Sequence, residues 1–185
     1  SIHSDGAFKN GRFQLRGPRV RFIPNRPWHW TDNPFHNTPE LNGLKVLLML
    51  LSNFVNKDSR VGKAGGPNTG RFLVVNREGK PSIVYTFTDW GSTMGKWGHL
   101  SGQSDWDCAG FTAQTPEFVK GVHDGHVVFG FEGHIPDFND GITPTDVRWL
   151  TDRLGRITDT QIRAGLAASG ATIARVAAPQ RGTRN

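Results

Sequence analysis

The sequence predicts one α+β domain: a central buried helix, a β-hairpin beside it, and helices at the C-terminal end. Three observations predict it. Residues 41–55, LNGLKVLLMLLSNFV, are apolar at nearly every position from Val46 to Leu51, leaving no wet face, as in a helix packed on all sides. Residues 71–75 and 82–88 alternate Val, Ile, Tyr and Phe with other residues across a Gly/Pro-containing connection, the pattern of a hairpin. Thr143-Pro144-Thr145-Asp146 then reads as a capped helix start, with Val147, Leu150 and Leu154 on one face and Gly155 as the stop.

The 185 residues suffice for one domain with its own core. The 23 Gly and 11 Pro call for many turns, and six Trp with 12 Phe assign much of the packing to rings. A formal charge of +6 and a pI near 10.0 favour acidic partners: nucleic acid, anionic lipid or an acidic protein surface. Cys108 is the only cysteine, which excludes an intrachain disulfide and a cysteine-built zinc site. No stretch has the length and apolarity of a transmembrane helix. The chain opens on Ser1, which fits either a processed protein or a piece of a longer one.

In order along the chain, residues 1–38 form a basic, strand-like and Pro/Trp-rich extension. Asn10-Gly11 is a hairpin turn signal, and Val20-Arg21-Phe22-Ile23 follows the break at Gly17-Pro18. Arg12, Arg16, Arg19 and Arg21 alternate with apolar residues, so one face is cationic: a guarded strand edge or a polyanion contact. Trp28, Trp30 and Phe35 between prolines read as aromatic padding on the core. Thr38-Pro39-Glu40 supplies a hydroxyl cap, a proline at the first turn and an acid at the positive dipole end of the central helix. Leu44, Leu47, Leu48 and Leu51 are expected to be its most buried residues.

The segment VGKAGGPNTG, residues 61–70, lacks the spacing, hydroxyl and strand-to-helix context of a phosphate-binding loop and reads as a surface loop. Residues 97–114 show no period and read as irregular. Thr115-Pro116-Glu117 reads as a short helix ending at Gly121, followed by a turn at Asp124-Gly125 into a strand over 127–131. His123, His126 and His134 lie near one another without metal-site spacing and read as surface histidines. Thr158-Asp159-Thr160-Gln161 starts a further helix through Ile162 and Leu166, and residues 172–178 a shorter one. The organisation is thus 1–38, a domain over 39–178, and a basic tail over 179–185. Residues 1–23 and the tail are apolar-poor and are expected to take their order from a partner.

The sequence of buried helix, polar loop, hairpin and Thr88-Asp89-Trp90-Gly91 resembles the C-lobe of atypical kinase-like families: the HipA, Fam20 and phosphatidylinositol 4-kinase groups. It looks closest to uncharacterised bacterial proteins related to them. Asn53, Lys57, Asp58, Asp89 and Gly91 match the group's pattern, and Ser92-Thr93-Met94-Gly95 is similar to the segment after its aspartate. The resemblance implies Asp89 as a magnesium ligand, Asn53, Lys57 and Gly91 as its cofactor-binding company, and Asp58 as a catalytic carboxylate. Val55 stands where the group carries its catalytic aspartate, and Arg60 where it carries a metal-binding asparagine. Valine accepts no proton and arginine repels a cation. A Gly-rich strand turn and a phosphate-pairing lysine, the marks of an N-lobe, are not visible before residue 41.

These departures favour a non-catalytic, pseudokinase-like chain: a binding or structural subunit whose basic, aromatic-rich surface docks on the acidic surface of a protein partner or larger assembly, with no cofactor expected. Two other readings stay open. One is a Mg-ATP-dependent phosphotransferase using Asp58 and Asp89 with a companion N-lobe. The other is a basic nucleic-acid-binding module. Bacterial periplasm and cytoplasm both remain open as compartments.

Overall fold

The computed structural model describes residues 17–53, 68–90, 93–98, 107–133 and 140–168. The chain is α+β. Its described elements run β1 (Val20–Ile23), α1 (Pro39–Leu50), β2 (Thr69–Val75), β3 (Pro81–Phe87), α2 (Cys108–Gln114), β4 (Val119–His123), β5 (His126–Phe129), α3 (Pro144–Leu154) and α4 (Asp159–Ala168). The strands form two antiparallel sheets, β1-β2-β3 and β4-β5.

The expected hairpin is present as β2 and β3, in register from Thr69 opposite Phe87 to Val75 opposite Pro81. Its turn is held by Asn76, whose side-chain oxygen accepts from the backbone N–H groups of Glu78 and Lys80. β1 adds to the outside of β2, with Phe22 opposite Phe72 and Val20 opposite Val74. Residues 20–23 therefore take their order from β2 inside the same chain and not from a partner. The Asn10-Gly11 turn, the helix expected over 172–178 and the tail lie outside the described residues.

Trp28 and Trp30 follow β1 and close the inner side of this sheet. The Trp28 backbone N–H donates to Thr69 Oγ1, Thr69 Oγ1 donates back to the Trp28 carbonyl, and Trp28 Nε1 donates to the Thr86 carbonyl. Its ring meets Trp30 edge-on and Phe87 at a tilt, with centroids 4.9 and 5.4 Å apart. Such pairs add to the large area that each ring removes from water. The core continues through Leu41, Val46, Leu48, Met49, Phe131, Ile142 and Leu150.

Helix α1 begins as expected, with Thr38 Oγ1 accepting from the Leu41 N–H. It stops earlier than expected, at Leu50 instead of residue 55. Ser52 adopts the left-handed conformation, φ 53°. The Ser52 N–H then donates to the Met49 carbonyl and the Asn53 N–H to the Leu48 carbonyl, which is the Schellman arrangement. The expected burial of four leucines holds only for Leu48; Leu44, Leu47 and Leu51 are half-buried. Leu44 and Leu47 share the helix side of exposed Glu40. The opposite side, with Leu41, Asn42, Lys45, Val46 and Met49, is the buried one.

That side meets α3. Gly43 allows the approach, because a Cβ there would lie 2.8 Å from the Trp149 ring. The α3 capping box is formed as expected: the Asp146 N–H donates to Thr143 Oγ1, and the Thr143 N–H donates to Asp146 Oδ2. Asp146 Oδ2 also accepts from Asn42 Nδ2 at 3.0 Å, joining the start of α3 to α1 across 104 residues.

Two expectations are corrected. Residues 97–114 are not wholly irregular, since Cys108–Gln114 is helical, capped by Asp107 Oδ1 accepting from the Gly110 N–H. Thr115-Pro116 ends this helix, with Thr115 as its C-cap, and does not begin a new one. Val119–His123 is accordingly a strand, paired with β5. The hairpin turns on Asp124 and Gly125, both at positive φ (48° and 78°), which matches the right-handed twist of the flanking strands.

Candidate functional site

The residues singled out by the resemblance fall at the C-terminal end of α1 and just after β3. The Schellman turn reverses the chain at Ser52, which brings Asn53 against the segment leaving the hairpin. Asn53 is fully buried, 0 % exposed, and its Nδ2 donates to the backbone carbonyl of Asp89 at 3.3 Å. Asp89 is half-buried. The fold thus brings Asn53 and Asp89 together. Lys57, Asp58, Gly91, Val55 and Arg60 lie outside the described residues.

The same junction continues into an apolar groove. The Met94 N–H donates to the Leu51 carbonyl at 2.6 Å, fastening the segment after Asp89 to the end of α1. A reciprocal pair fastens it to α2: the Trp97 N–H donates to Gln114 Oε1, and Gln114 Nε2 donates to the Trp97 carbonyl. Between these walls lies a groove of about 190 Å³ lined by Leu50, Leu51, Met94, Gly95, Cys108, Phe111 and Thr112. Leu50 and Met94 are 38 % and 37 % exposed at its rim. Its size is below the roughly 300–1,000 Å³ of small-molecule sites, and its lining offers apolar contact.

Sequence reasoning did not single out the groove as a site. Leu50 read as core, and Phe111 and Cys108 as parts of an irregular loop. Nothing in local periodicity reports that the end of one helix and the side of another will face each other. Buried side chains here leave two hydroxyls, Ser52 Oγ and Thr115 Oγ1, without a hydrogen-bond partner among the described residues.

His123 and His126 face one another across the β4–β5 ladder and are exposed, with His123 Nδ1 3.1 Å from Asp124 Oδ2. His134 lies outside the described residues. Among the described residues no group of three or more His, Cys, Asp or Glu is placed to hold a metal ion. No helix among them is long and apolar enough to cross a membrane. Comparison of the chain with protein-family models, with curated proteins and with solved structures finds no match.

Proposed function

We propose that the chain is a non-catalytic, kinase-like binding subunit that docks on a protein partner or larger assembly. The observation that carries this reading is the use made of Asn53. Its side chain is sealed from solvent and spends a donor on a backbone carbonyl, so it acts as a joint between α1 and the segment after β3. The adjoining groove supports the same reading, because about 190 Å³ of apolar space suits one inserted side chain of a partner. The net charge of +6 favours an acidic surface around that side chain. Val55 and Arg60, in place of an acid and a neutral metal ligand, argue against phosphoryl transfer, which depends on metal ions at the phosphates.

Cys108, the only cysteine, lines the groove and is exposed, so it can carry a photo-crosslinker without competing sites. The labelled chain, irradiated in extract of its source cells, is expected to join one discrete protein, and Leu50→Asp is expected to abolish the product while the fold survives. Cross-linking that is unchanged by Leu50→Asp refutes the groove as the docking point. Calorimetry with Mg-ATP and a radiolabel transfer assay are expected to give no saturable heat and no turnover. Turnover that disappears in Asp89→Asn would promote the phosphotransferase reading instead.

A further inference from the structure

The two edges of the β1-β2-β3 sheet are finished differently. The β1 edge is guarded: Pro18, Arg19 and Arg21 stand on or beside it, and the Val20 N–H donates to the Gly17 carbonyl. β3 is seven residues long, contains no charged residue and pairs with β2 in unbroken register. The ladder shows which of its backbone groups point outward. The Thr88 N–H donates to the Asn68 carbonyl, and the Asn76 N–H to the Lys80 carbonyl. Hydrogen-bonded pairs alternate along an antiparallel ladder, so those between these two are Thr86 with Gly70, Val84 with Phe72 and Ser82 with Val74. The N–H and C=O groups of Ile83, Tyr85 and Phe87 therefore face away from β2. Among the described residues they have no hydrogen-bond partner. Ile83 is 53 % exposed, and Val84, 39 % exposed, extends the outer-face row of Phe22 and Phe72 to this edge.

An uncharged edge with open backbone groups is a template for a further strand. The residues of β3 fit that strand to be β3 of a second copy. Antiparallel pairing about a two-fold axis at Tyr85 sets Tyr85 opposite the partner's Tyr85 and Ile83 opposite the partner's Phe87. It also sets Val84 opposite the partner's Thr86, and Ser82 opposite the partner's Thr88. These include an aromatic pair, β-branched against aromatic, and hydroxyl against hydroxyl, which are the favourable cross-strand classes. The same register joins the outward N–H and C=O groups of Ile83, Tyr85 and Phe87 to those of the partner. The strand ends also match in charge. Lys80 precedes β3 and Asp89 follows it, so antiparallel pairing sets the basic end of one copy beside the acidic end of the other. Pairing two copies through β1 would instead crowd the arginines of both.

We propose that the chain self-associates through the open edge of β3, with two copies joining their three-stranded sheets into one continuous sheet. This edge shares no residue with the groove at the end of α1, so self-association and docking at the groove can be tested separately.

Sedimentation velocity of the full chain over a concentration series is expected to show a monomer–dimer equilibrium, a weak one because a strand pair is a small interface. Ile83→Pro is the discriminating variant. It removes an N–H that makes no bond within the chain, at an exposed edge position, so the monomer keeps its ladder. In the dimer the two-fold axis removes two hydrogen bonds at once, and Kd is expected to rise at least about tenfold. Val84→Lys is expected to disperse the dimer as well, by placing a charge on the edge without touching the backbone. If Ile83→Pro loses its circular dichroism, Val84→Lys decides alone. Amide hydrogen exchange reads the same event residue by residue. Ile83, Tyr85 and Phe87 should gain protection as concentration rises, while Val84 and Thr86, bonded to β2, are protected throughout. A chain that is monomeric at every concentration overturns the proposal. So does a dimer that a folded Ile83→Pro leaves intact, and so does one dispersed by Leu50→Asp, which places the contact at the groove.

Discussion

Ser52 combines two costs in one residue. It holds a left-handed backbone, φ 53°, and it buries a hydroxyl that has no partner among the described residues, at 1 % exposure. In Ser52→Gly, relief of the left-handed conformation gains about 1–2 kcal/mol. Against it stand the extra backbone entropy of glycine, about 0.5–1 kcal/mol, and the loss of one buried carbon, about 0.8 kcal/mol. These terms nearly cancel. The hydroxyl therefore decides the outcome, since a buried polar group without a partner costs about 1–3 kcal/mol. Ser52→Gly and Ser52→Ala are both expected to stabilise the chain by about 1–3 kcal/mol, and by similar amounts. Thermal unfolding followed by tryptophan fluorescence reads this as a rise of several degrees, at about 2–4 °C per kcal/mol for a chain of this size. If Ser52→Ala destabilises, the hydroxyl is hydrogen-bonded and the reasoning fails. If Ser52→Gly alone destabilises, the Schellman turn at the end of α1 is wrong.

Other outcomes follow from the same packing. Leu48→Ala, at a fully buried position, is expected to cost about 2–5 kcal/mol in urea unfolding, whereas Leu44→Ala should cost clearly less. Asn42→Ala and Asp146→Ala should each destabilise by about 1.5–3 kcal/mol, because a hydrogen bond to a charged partner is lost from a buried site. Their double-mutant cycle should show a coupling above about 0.5 kcal/mol; strict additivity would mean that the link between α1 and α3 carries no energy. Gly43→Ala gains about 1 kcal/mol of helix propensity but meets the Trp149 ring, so overpacking of about 1–3 kcal/mol should make it neutral to destabilising. A clear gain in stability would show that α3 stands further off.

What the sequence alone determined is what a few adjacent residues can encode. Thr143-Pro144-Thr145-Asp146 carries its own capping box, Asn76 to Lys80 carry their own turn, and Asp124-Gly125 tolerate the positive φ that a tight hairpin needs. The α+β class and the alternating β2 and β3 were legible for the same reason. The tertiary structure decided the rest. The apolar run of α1 contains more leucines than one face can bury, and only the positions of α3 and the sheet select Leu48 and Met49 over Leu44 and Leu47. Its end was hidden because Ser52, and not a glycine, takes the left-handed position. Thr115-Pro116 is equally good grammar for opening a helix and for closing one, and α2 settles which. Asn53 and Asp89 were named from the sequence. Their meeting, and the groove between α1 and α2, depend on contacts between distant segments, which no local pattern encodes. The outer sheet face is of the same kind: Phe22 and Phe72 are 50 positions apart in the numbering and become neighbours only when β1 pairs with β2.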